Sequence, residues 1–126
     1  MVISSTKMHL FIMKTILLSI YFTTLSIMLS NPVPSTASIY HDKYHGRRAA
    51  NGEIFSKNKL TAASNNYKLN TMVKVTNEKT GKFVIVKITD RMAPNYSHRI
   101  DLSKLAAAEI GLTTQMGVTK VTIEEI

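Results

Sequence analysis

The chain has no cysteine and no tryptophan, three prolines, five glycines and eight acidic residues in a length of 126. Without cysteine no disulfide can brace the fold and no thiolate can act as nucleophile or zinc ligand. No lipid anchor on an N-terminal cysteine is expected either. Long apolar runs are also missing: ILLSIYFTTLSIML, residues 16–29, is uncharged over 14 residues, short of the roughly 20 that a spanning helix needs. Lys7, His9 and Lys14 precede it without any acid and SNPVPSTAS follows it, the pattern of a secretory leader. Residues 1–30 are therefore expected to be a signal segment. Cleavage would fall between residues 30 and 37, after Ser30 or after the small residues Ser35, Thr36 and Ala37. An uncleaved anchor is the competing reading. Export to the periplasm or the cell wall is the expectation.

What is present is positive charge. Sixteen Lys and Arg give +8, and loss of Lys7 and Lys14 leaves fourteen bases against eight acids, about +6. Such a surface favours polyanions: nucleic acid, anionic lipid or an acidic wall polymer. Export argues against nucleic acid, and the scatter of the bases also fits simple solubility. The part after residue 31, under 100 residues, needs an efficient core, which here only sheet closure can supply.

Pro32 and Pro34 mark a short linker, and ASIYH (37–41) can begin a strand. The polar loop 42–58 follows, then KLTAAS (59–64) as a short strand. MVKVTN (72–77) and KFVIVKIT (82–89) flank NEKTG with Gly81 at the turn, a β-hairpin signal. Val84, Val86 and Ile88 alternate on one face while Phe83 and Ile85 make the other apolar too. Two buried faces point to a small closed barrel. After a polar stretch over 90–101, SKLAAAEIGL reads as a short helix capped by Ser103 and ended by Gly111. Leu105, Ala108 and Leu112 are its expected buried stripe. VTKVTIEEI closes the chain as a strand, so the class is all-β, a small barrel with one or two short helices.

Few residues can carry chemistry. Asp90 ends an apolar strand that would partly desolvate its carboxyl, as a general acid requires. It could equally cap its own turn or pair with Arg91. Asp101 lies two residues before Ser103 and could simply favour the helix start. Glu53 follows an Asn-Gly turn, where a solvated acid is the default. His41, His45 and His98 lack metal-binding spacing, so no metal and no cofactor are expected. Tyr40, Tyr44, Tyr67 and Tyr96 fall in or beside loops, where they could stack on sugars or merely sit at the surface.

Taken in order, HGRRAANGEIF (45–55), KLTAA (59–63), MVKVTN with KFVIVKITDR, RIDLSKLAAAEIGL (99–112) and GVTKVTIE resemble the rare lipoprotein A (RlpA)-like family. The resemblance spans residues 37–126 and implies a six-stranded double-psi β-barrel. It implies endolytic lytic transglycosylase activity on denuded peptidoglycan strands, cleaving the MurNAc–GlcNAc bond to leave 1,6-anhydro ends. The alternative is a non-catalytic glycan-binding or expansin-like module, expansins being related barrels. By resemblance, Asp90 of the DR motif is the leading catalytic carboxylate, and Glu53 of ANGE and Asp101 of IDLS assist. Arg47, Asn51, Arg91, Tyr40 and Ser64 fall on the expected substrate side. Partners would be glycan strands, with the protein monomeric and free of nucleic acid. A wholly structural role, with the carboxylates as caps, is the third reading. Convergence of Glu53, Asp90 and Asp101 on one groove would separate these readings.

The chain departs from the family pattern at several points. LTAAS puts Ser64 where a histidine is usual, and GRRAANGE puts Ala49 where a threonine is usual. ASIYH lacks the tryptophan of the usual start, and DRMAP lengthens the loop after Asp90. A serine cannot titrate near neutral pH as an imidazole does. These departures bear on catalysis rather than on the fold.

Overall fold

The structure, a computed structural model, describes residues 5–28 and 31–126. The expected leader cut after Ser30 lies outside the described residues. The chain divides into two units. The first contains a helix, α1 (Ser5–Met28), with no acid in its first turn and no base in its last. Among the described residues no helix is long and apolar enough to cross a membrane.

The second unit, Pro32–Ile126, contains β1 (Val33–Ile39), β2 (Thr61–Ala63), β3 (Met72–Asn77), β4 (Phe83–Asp90), β5 (Arg99–Leu102), α2 (Lys104–Glu109) and β6 (Val118–Glu125). The strands close into a barrel in the order β1-β5-β2-β4-β3-β6. Two neighbouring pairs are parallel, β1 with β5 and β2 with β4, and the other four are antiparallel. This is the all-β double-psi barrel expected, with α2 and a single 3-10 turn over Asp42–Tyr44.

The core follows from strand alternation. Val73 and Val75 of β3, Val84, Val86 and Ile88 of β4, and Val121 and Ile123 of β6 fill the barrel with 5% exposure or less. Each such side chain stabilises the fold by roughly 1.5–3 kcal/mol through burial. Gly81, at φ +72°, supplies the left-handed turn of the β3–β4 hairpin, its N–H donating to the Asn77 carbonyl.

Four expectations need correction. Phe83 and Ile85 are 55% and 41% exposed, so β4 buries one face only. The barrel is closed even though the premise of two buried faces was wrong. Second, β1 begins at Val33 and includes Pro34, so the expected linker is strand. The ladder to β5 starts only at Thr36, which leaves Pro34 beyond the doubly paired part of β1, where a missing N–H is tolerated. Third, Arg99–Leu102 is a strand rather than polar loop. Fourth, α2 buries Ala106, Ala107 and Ile110, while Leu105 is 38% exposed and Ala108 is also exposed. Small residues let the helix approach the barrel closely. Leu112 is buried as expected, and the Ser103 side chain caps α2 by accepting from the Ala106 N–H.

Candidate active site

The sheet register brings the two aspartates into one row. A register shift at Ala62/Ala63, with Thr89 as the extra residue on β4, places Ala63 opposite Asp90. On its other side Ala63 faces Asp101 of β5, and Asp101 in turn faces Ser38 of β1. Asp90 and Asp101 therefore sit one strand apart, with backbones about 10 Å from each other at ordinary sheet spacing. Ala63, with only a methyl side chain, occupies the strand position between them. A cavity of about 500 Å³ opens over this row, lined among others by Asp90, Asp101, Ala63 and Tyr40.

Asp90 is held by three donors. Its Oδ1 accepts from the Ala50 N–H at 3.0 Å and from the Arg91 N–H at 2.9 Å. Its Oδ2 accepts from the Tyr40 hydroxyl. The Tyr40 ring is itself fixed, stacked on Phe55 at 4.2 Å and edge-on to Tyr44 at 5.2 Å. Desolvation of the Tyr40 hydroxyl, its bond to Asp90 and the charges of Asp90 and Asp101 raise its pKa well above the ordinary tyrosine value. It stays neutral and acts as a donor. Asp101 accepts from the Ser38 hydroxyl at 2.5 Å.

Two loops complete the walls. The segment 45–55 folds back on itself, with the Phe55 N–H donating to the Arg47 carbonyl at 2.8 Å and the Ala49 N–H to the Glu53 carbonyl at 2.7 Å. The Asn51 N–H ties its tip to the Thr89 carbonyl of β4. Gly52, at φ +91°, makes the reversal. This excursion delivers Arg47, Arg48 and Phe55 to the cavity. After Asp90 the chain is pinned to the turn following β2. The Met92 N–H donates to Asn65 Oδ1, and Arg91 Nη1 donates to the Ser64 and Tyr67 carbonyls, both at 2.6 Å. That anchoring sets Met92, Ala93 and Tyr96 on the facing wall.

The cavity is lined by three arginines and two carboxylates. Among the described residues the ion pairs are Lys87–Glu53 and Lys104–Asp42, so none of Arg47, Arg48 and Arg91 has a carboxylate partner. Arg91 is engaged with backbone carbonyls, and one Nη of Arg48 donates to the Gly52 carbonyl at 2.8 Å. The Arg47 guanidinium lies over the Tyr44 ring at 5.6 Å.

Of the residues singled out in the sequence, Asp90, Asp101, Arg47, Arg91, Tyr40, Tyr44 and Tyr96 line this cavity. Glu53 does not: its carboxylate is at the surface, bonded to the Lys87 ammonium, which lowers its pKa. Asn51 is a turn residue, its side chain accepting from the Glu53 N–H and donating to Asn70. Ser64 is fully buried, and its hydroxyl oxygen accepts from the Asn66 N–H. Ala49, at 6% exposure, is packed under the loop rather than in the cavity. Tyr67 packs against the barrel core. Sequence reasoning missed Arg48, Phe55 and the floor residue Ala63, for which no local signal exists. Among the described residues no cluster of His, Cys, Asp or Glu could hold a metal ion.

Against known proteins, residues 34–123 match the family described as "Lytic transglycolase". The chain is 46% identical over 90 residues to the "Endolytic peptidoglycan transglycosylase RlpA" of Pasteurella multocida, covering 71% of this chain and 30% of that protein. It is 45% identical over 92 residues to the protein of the same name from Pseudomonas aeruginosa, covering 72% and 26%. The chain thus spans under a third of the length of these relatives. Among solved structures, the Streptomyces papain inhibitor superposes with a TM-score of 0.62 at 21% identity, covering 76% of this chain and 94% of that one. A Clavibacter michiganensis expansin variant in complex with cellohexaose superposes with a TM-score of 0.62 at 16% identity, covering 76% and 50%. At such identities the structural likeness concerns the fold alone.

Proposed function

The chain belongs to the lytic transglycolase family, and from that premise we propose that it is an endolytic peptidoglycan lytic transglycosylase acting on denuded glycan strands. The observation that carries this reading is the placement of Asp90: a carboxyl fixed in orientation at the edge of an open cavity, one strand away from Asp101. Asp90 protonates the glycosidic oxygen as the MurNAc C1–O bond breaks. The C6 hydroxyl of the same sugar closes on C1, and the Asp90 carboxylate takes its proton. One C–O bond is broken and one is formed, no water is consumed, and the proton returns to Asp90. A single group thus serves as acid and then base. Asp101 lies where a negative charge stabilises the oxocarbenium-like transition state. Arg47 and Arg48, free of carboxylate partners, face the lactyl carboxylates that a denuded strand exposes. The basic, apolar leader supports delivery to the wall side of the membrane.

A second reading, glycan binding without turnover, is favoured by one observation. Ser64, where the resemblance implies a histidine, is fully buried and brings no titratable group to the cavity. Mass spectrometry of products from denuded glycan decides between them. Anhydro-ended fragments are expected, with Asp90→Asn lowering their rate by roughly 10²–10⁴-fold while circular dichroism shows an intact fold. Co-sedimentation with the glycan and no fragments would replace the enzyme by the binding module.

A further inference from the structure

Tyr40 does not end the groove. The residue also lines a second cavity of about 290 Å³, together with His41, Asp42, Lys104 and Thr114. Ser38 also lines this second cavity, while its hydrogen-bond partner Asp101 lines the first. Tyr40 and the Ser38–Asp101 hydrogen bond therefore link the linings of the two cavities. Lys104 and Thr114 lead on to a third depression of about 330 Å³ with an apolar lining of Ile39, Ala108 and Leu112. The three hollows adjoin one another, the first and second at Tyr40 and the second and third at Ile39, Lys104 and Thr114.

We propose that this continuation binds the sugars of the glycan strand next to the bond being cut. The inference rests on the glycan reading above and extends it to how much of the strand is held. A chain-like ligand is indicated because the hollows are consecutive and share walls, which a compact ligand would not need. Lys104, His41 and the Thr114 hydroxyl offer donors to sugar hydroxyls and acetamide carbonyls, and Asp42 offers an acceptor. The apolar third hollow suits the methyl group of an N-acetyl substituent. Lys104 is paired only loosely with Asp42, at 3.6 Å, and both side chains are half exposed, so little is lost when an acidic strand replaces that partner.

The test is calorimetric binding to the full chain carrying Asp90→Asn, which prevents cutting. The probes are a single GlcNAc–MurNAc disaccharide and a strand of four such units. Lengthening the glycan is expected to tighten binding by about tenfold or more. Lys104→Ala, which removes a donor, and Thr114→Glu, which sets a carboxylate in the path, should each take away most of that gain. No gain on lengthening, or a gain that both variants keep, overturns the inference and leaves the glycan reading standing. Equal losses at both lengths also overturn it, since they signal a general electrostatic effect. Binding of neither length removes the glycan reading and this inference together.

Discussion

The Tyr40 hydroxyl is a point where burial and charge act in one direction. Desolvation first, then the bond to Asp90, raise its pKa. The unfolded chain releases a tyrosine proton near pH 10, whereas the folded chain keeps it. The stability tied to this group is therefore intact below about pH 10 and is lost as pH rises beyond it. Thermal melts at rising alkaline pH should show this decline, and Tyr40→Phe should flatten it. Tyr67, whose pKa is raised chiefly by burial, accounts for the slope that remains. Glu53 is the opposite case, with a carboxylate tied to Lys87 at the surface. Glu53→Gln should slow glycan cleavage far less than Asp90→Asn does, read as initial rates on the same substrate. Asp90 was legible in the sequence through the DR motif of KFVIVKITDR, since its position at the end of an apolar strand suits a turn cap equally well. The Tyr40–Asp90 bond joins residues 50 positions apart, and nothing local announces it.

At the scale of elements, legibility tracked how well local pattern and tertiary demand agree. The β3–β4 hairpin could be read because alternation and a left-handed glycine say the same thing. β5 could not: four residues with charges at Arg99 and Asp101 look like loop, and their extended state comes from pairing with β1 and β2. The stripe of α2 was misread because a leucine looks like core, yet close approach to the barrel requires the alanines. Ser103 joins this helix to the strands. Its side chain accepts from the Ala106 N–H and donates to the Lys59 carbonyl, and it is fully buried. Ser103→Ala should cost about 2 kcal/mol by losing the cap and orphaning that carbonyl, measured by urea denaturation. Ala63 makes the matching prediction for the site. Ala63→Val fills the floor between Asp90 and Asp101, so cleavage should fall much more than the roughly 1–3 kcal/mol of overpacking would account for through unfolding.

For the whole molecule, β1 decides where a leader could be removed. Val33 to Ala37 pair with Ile123 to Thr119 of β6, and Ala37 is fully buried. A cut after Ala37 would strip five of the seven residues of β1, whereas a cut near Ser30 leaves the strand whole. A chain starting at Asn31 is expected to fold, and one starting at Ser38 to lose cooperative melting by circular dichroism. If a leader is removed on expression, N-terminal sequencing of the product should give a first residue before Val33. The same seam has a consequence in time. Because the first strand of the barrel is bonded to its last, closure has to await residues 118–125, the last of the six strands to be synthesised. Contacts so distant along the chain make folding slow. Until residues 118–125 have left the ribosome, the nascent barrel stays open along its β1–β6 seam, with β1 an unpaired thread on that side.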